Sequence, residues 1–89
     1  MVRGMRTAAE ALAALRKAAR QKGYQVRPIT DPHGNTRGKG SHVAYGLYDG
    51  SGLLARSLFP QHPGDMSKKV TASIESAFAD HLGVGWMDR

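Results

Sequence analysis

His42 is the residue of this chain best placed for proton transfer. Lys39-Gly40-Ser41-His42 runs directly into the alternating stretch Val43-Ala44-Tyr45-Gly46-Leu47-Tyr48, so the imidazole stands where a basic loop becomes a strand. A loop lets a charged partner approach while a strand fixes side-chain direction, and a histidine at their junction is both accessible and oriented. The chemistry this suits is general acid–base catalysis. The other three histidines have plainer roles. His33 lies in a turn-forming loop, His62 between two prolines, and His81 near a helix end where a cation suits the dipole. The four show no i, i+4 pair and no helix-borne Glu-x-x-His, so their spacing does not describe a transition-metal site.

The 89 residues make one domain, with a core expected over about 7–83, an insertion loop over 31–40 and a tail over 84–89. A chain this short buries only about 60 to 65 per cent of its unfolded surface, so any active site should be shallow. There is no cysteine, which excludes a disulfide frame, a thiolate nucleophile and a thiolate zinc site. The start of the chain lacks the apolar run of a signal peptide, and no stretch approaches a membrane span, so the expected location is cytoplasmic. The net charge of +6 is uneven: the first 39 residues hold nine basic and two acidic side chains, the remaining 50 hold four and five. Such asymmetry suits a polyanion, because each phosphate neutralised releases condensed counterions.

The elements follow from periodicity and punctuation. Thr7 and Glu10 have capping-box spacing, and Ala8, Leu12, Leu15 and Ala19, widened by Ala11 and Ala18, form the apolar stripe of a helix that Gly23 stops. Arg16, Lys17, Arg20 and Lys22 load its last two turns, where cations complement the dipole, and that structural reason is sufficient by itself, so they are not counted among the expected RNA-binding residues. Tyr24 to Thr30 reads as a strand in which Pro28 marks an edge or a bulge. Residues 31–40 are turn chemistry throughout and read as a mobile loop. Gly38-Lys39-Gly40 lacks the strand before and the helix after that a nucleotide-binding glycine loop needs.

In the second strand Val43, Tyr45 and Leu47 should face the core, leaving His42, Ala44, Gly46 and Tyr48 on the opposite face. Asp49-Gly50-Ser51-Gly52 is a hairpin turn, and Leu53 to Phe59 returns antiparallel. Strict alternation sets Leu53, Ala55, Ser57 and Phe59 against Leu54, Arg56 and Leu58, which leaves apolar groups on both faces. Asp65 or Ser67 can cap a last helix with Val70, Ile74, Ala77, Phe78 and Leu82 on one side and Gly83 at its end. Lys68 and Lys69 sit in its first turn, where they oppose the dipole. An unfavourable placement next to free N–H groups suggests a phosphate-docking point.

The order helix, three antiparallel strands, helix gives an α+β fold, α-β-β-β-α, with both helices on one face, the layout of a double-stranded-RNA-binding domain. Over Thr7 to Leu82 the chain also resembles the HicA family of bacterial toxins, the mRNA interferases of HicAB toxin–antitoxin systems. The residues that carry the resemblance are Gly40-Ser41-His42, the run Phe59-Pro60-Gln61-His62-Pro63-Gly64, and the helix with Val70, Ile74 and Phe78. It implies a small RNase without a cofactor, a catalytic histidine at His42, an mRNA substrate and a cognate HicB-type antitoxin as protein partner. His62 falls in a turn signature, outside the catalytic centre. The connection from Gly23 to Ser41 is longer than in typical members, so the 31–40 loop looks like an insertion.

RNA carries its own nucleophile in the 2′-hydroxyl, so the expected reaction needs only proton transfer beside an in-line phosphate. His42 would take the 2′-OH proton and return it to the leaving 5′-oxygen, giving a 2′,3′-cyclic phosphate. Arg37, Lys39, Gly40, Ser41, Lys68 and Lys69 are the expected RNA-binding residues, holding the phosphate and offsetting its charge. Two other readings fit the same residues. One is an RNA-binding module without catalysis, including an inactivated toxin relative. The other is a purely protein-binding subunit, in which the mixed faces of the last strand bury against a partner.

Overall fold

The fold is taken from a computed structural model that describes residues 6–29, 42–60 and 64–88. Its elements run α1 (Ala8–Lys22), β1 (Gln25–Pro28), β2 (His42–Asp49), β3 (Gly52–Pro60) and α2 (Lys68–Leu82), followed by a short 3₁₀ turn at Trp86–Asp88. This is the expected α-β-β-β-α order.

α1 forms where capping and periodicity agree. The Thr7 N–H donates to Glu10 Oε1 at 2.9 Å and the Glu10 N–H donates to Thr7 Oγ1 at 3.1 Å, a reciprocal capping box. At the other end Gly23 adopts φ 77°, a left-handed conformation that stops the helix and that glycine alone enters without strain. Between them Ala8, Ala11, Leu15, Ala18 and Ala19 are buried.

The sheet order is β1-β2-β3 with both pairs antiparallel. β1 is therefore an edge strand, the position that Pro28 requires for want of an amide proton. The β2–β3 hairpin closes at Asp49↔Gly52, and the Asp49 carboxylate accepts from the Ser51 N–H, the Ser51 hydroxyl and the Gly52 N–H at 2.7, 2.7 and 3.2 Å.

One feature of β3 departs from strict alternation. Leu47 pairs with Ala55 but Tyr48 pairs with Leu53, so Leu54 is an extra residue, a β-bulge. Beyond the bulge the side-chain parity reverses. Leu53 lies on the face of Tyr48, Arg56 and Leu58, while Leu54 packs with Ala55 against the core. The grouping of Leu53 with Ala55, Ser57 and Phe59 is thereby corrected: an added residue shifts the register, and a two-residue repeat cannot reveal it.

Both helices cover the same face of the sheet. The core joins Leu15, Ala18 and Ala19 of α1, Leu47 and Phe59 of the sheet and Ile74, Phe78 and Leu82 of α2, with Tyr45, Val26 and Ala55 packed at its margin. Phe59 anchors an aromatic chain through Tyr45, Phe78 and Trp86, with successive centroids 5.4 to 6.5 Å apart. Ser67, rather than Asp65, caps α2: its hydroxyl accepts the Val70 N–H at 3.1 Å, while Asp65 forms an isolated bridge with Thr7. The core also passes the boundary set by helical periodicity. Trp86 and Met87 are buried, and the Trp86 indole N–H donates to the Glu75 carbonyl at 2.8 Å.

Candidate nucleic-acid interface

Because both helices take one face of the sheet, neither covers the opposite face. His42 is the first residue of β2, opposite Pro60, and its side chain is exposed. Alternation carries Val43 inward beside its pair Phe59 and turns His42 to the helix-free side, as the apolar pattern requires. Among the described residues no hydrogen bond or ion pair engages the imidazole. The ring is therefore open to a partner from solvent.

The same face carries Ala44, Gly46 and Tyr48 of β2, Leu53, Arg56 and Leu58 of β3, and Arg27 of β1. Arg27 and Arg56 both pair with Gly46, one from each neighbouring strand, so two cations flank the centre of the sheet. Gly46 is four positions along β2 from His42, about 13 Å along the strand. The Arg27 guanidinium carbon lies 4.1 Å from the centroid of the Tyr48 ring. Gly46 makes room for this pair: a Cβ there would come within 2.8 Å of Tyr48 Cε1 and 2.6 Å of Leu53 Cδ1. Leu53 and Leu58 are about half exposed beside it. The result is a surface with a fixed aromatic ring, two guanidiniums, apolar side chains and, at one end, an unengaged imidazole.

Lys68 and Lys69 are exposed in the first turn of α2, directly after the Ser67 cap. They do not share a contact with His42. Phe78, which packs on Phe59 at the His42 end of the sheet, is ten residues further along α2, so the helix start lies about 15 Å along the axis from that level. The two lysines form a second cationic point on the helical layer. Arg37, Lys39, Gly40 and Ser41, with His33 and His62, lie outside the described residues.

Arg27 and Arg56 are the cations of this face that pattern reading did not single out. Pairing parity with His42 is the signal for both: Arg27 shows it through the regular pairing of β1 with β2, and Arg56 through the β2–β3 register that the bulge at Leu54 sets. No group of three or more histidine, aspartate or glutamate side chains gathers among the described residues, and none of their helices is long and apolar enough to cross a membrane. Comparison with protein-family models, with curated proteins and with solved structures finds no match to this chain.

Proposed function

We propose that this protein is a metal-independent endoribonuclease of the toxin type, using His42 as its acid–base group on mRNA bound across the helix-free face of the sheet. The observation that carries the reading is the placement of His42: exposed, at the start of the central strand, on the same face as Arg27, Arg56 and Tyr48. A single-stranded segment suits that face, because an aromatic ring and arginines accept bases and phosphates without regard to sequence. His42 then removes the 2′-OH proton, the 2′-oxygen attacks the adjoining phosphorus, and the proton passes to the departing 5′-oxygen. The products are a 2′,3′-cyclic phosphate and a 5′-hydroxyl. Arginines on the same face offset the charge that gathers on the phosphoryl oxygens in the transition state.

The toxin assignment rests on the resemblance of Gly40-Ser41-His42 and the segment after β3 to HicA proteins. With it come a cytoplasmic location and a HicB-type antitoxin that blocks the enzyme. Purified protein and labelled RNA test the enzyme reading. The His42→Ala variant should bind RNA as the wild type does and cut it at least 100-fold more slowly. Intact RNA after incubation with folded wild-type protein would leave the second reading, an RNA-binding module without catalysis. That module is favoured by one observation, that among the described residues no second acid–base side chain engages His42.

A further inference from the structure

A cleft of about 400 Å³ opens beside the free edge of the sheet, lined by Arg16, Ala19 and Arg20 of α1, Tyr24 at the turn, and Gln25, Val26 and Arg27 of β1. Three of its seven lining residues are arginines and none is acidic. We propose that this cleft is a binding site for consecutive phosphodiesters of single-stranded RNA, which reaches it by passing over Arg27 from the outer face of the sheet. This rests on the RNA-binding part of the function proposed above and names where the strand goes.

Arg16 and Arg20 are exposed and one helical turn apart, so the helix sets two like charges side by side. Such a pair weakens an isolated helix, and a bound anion between the two guanidiniums relieves the repulsion. The dipole accounts for Arg20, in the last turn, but Arg16 stands a turn too early to share that benefit. Among the described residues neither forms an ion pair with a carboxylate.

The edge strand supplies a further donor. The Ile29 N–H donates to the Ala44 carbonyl, and in an antiparallel ladder the residues that point their amides inward alternate, so Arg27 and Gln25 bond to β2 while the Val26 N–H faces out along the cleft. Guanidinium forks and an outward amide are the donor set that phosphate oxygens accept. Arg27 belongs to both surfaces: it lies on the Tyr48 ring and lines the cleft. The cleft is open along its length and does not enclose what it holds. That shape suits a chain passing through rather than a small molecule, which needs most of its surface buried.

The test is binding of a fluorescent single-stranded RNA by His42→Ala protein, titrated at several salt concentrations, with and without Arg16→Gln and Arg20→Gln. The expected result is weaker binding by the double variant at least tenfold at low salt. Its slope of log affinity against log salt should also be shallower by about 1.4, since each single-strand phosphate left without its cation removes about 0.7. Lys22→Gln removes the same charge as Arg20→Gln from outside the cleft and should weaken binding less than Arg20→Gln does. Unchanged slope and affinity in the double variant, or equal losses for Lys22→Gln and Arg20→Gln, would overturn the cleft while leaving RNA binding elsewhere intact. Failure of the parent protein to bind RNA at all would overturn both. Circular dichroism of each variant, all at exposed helix positions, checks that the fold is retained.

Discussion

Arg6 and Asp88, 82 residues apart in sequence, are joined by an ion pair that closes the two ends of the fold. Arg6 is nearly buried, donates from a second guanidinium nitrogen to the Met87 carbonyl at 2.9 Å, and offers its own carbonyl to the Met66 N–H at 2.8 Å. Asp88 is about half exposed, so solvent screens most of the charge attraction. The weight of the interaction therefore falls on the packed guanidinium and its carbonyl bond. Arg6→Ala should cost about 1–3 kcal/mol in urea unfolding, and Asp88→Asn less than about 1 kcal/mol. Equal costs would show that the charge, not the packing, holds the ends together.

Trp86 completes the aromatic chain above Phe78 and bonds to the backbone of α2 through its indole nitrogen. Its removal should cost about 3–5 kcal/mol. As the one tryptophan of the chain it also reports on itself. Its emission should be blue-shifted in the folded protein and shielded from iodide, and an emission maximum at the value of free indole in water would contradict the packing.

Gly46 sets the height of the outer face. Leu53 Cδ1 and Tyr48 Cε1 occupy the space that a side chain at this position would need. Both are tips of side chains at the surface, so Gly46→Val should leave the protein folded while lifting the Tyr48 ring from beneath Arg27. RNA affinity should fall about fivefold or more, on the order of the stacking of a single base. Unchanged affinity in the folded variant would remove the outer face from the interface.

Asp49 fastens the hairpin that carries β2 into β3. Hydrogen bonds from the Ser51 hydroxyl and backbone, with a further one from the Gly52 N–H, hold its carboxyl below the ordinary value of 3.8. A carboxyl with a depressed value in the folded state binds fewer protons there than in the unfolded chain, so its contribution is present above pH 3.8 and fades as pH falls through the folded value. Asp49→Asn should therefore be less stable than the wild type at pH 6, and the gap should narrow as pH falls below 3.8. A stability gap that keeps its size across that range would rule out the carboxylate as the source.

Much of the scaffold is legible in the sequence. Thr7 with Glu10, Gly23, the Asp49 to Gly52 turn and the Ile74–Phe78–Leu82 stripe are local signals, each acting within a few residues, and the fold agrees with all of them. The outward direction of His42 follows from alternation in an unbroken strand. What is hidden depends on interactions between distant parts of the chain. The bulge at Leu54 shows only in the pairing of β2 with β3, and it decides on which face Leu53 and Arg56 stand. Arg6 meets Asp88 through the ends of the chain, and Trp86 finds its site through Phe78, neither of which a periodic pattern encodes. Arg16 and Arg20 look like helix-end charges because the edge strand that turns them into a cleft lies outside their own helix.

The proton transfer assigned to His42 requires a ribose 2′-hydroxyl at the bond that breaks. The most direct measurement is cleavage of an end-labelled RNA oligonucleotide alongside a copy with one 2′-deoxy nucleotide immediately 5′ of the cut. The wild-type protein should cut the first, leave a 2′,3′-cyclic phosphate, and spare that bond in the second, with His42→Ala cutting neither. Cleavage of the deoxy-substituted bond at the same rate, or undiminished cutting by His42→Ala, would contradict the role of His42.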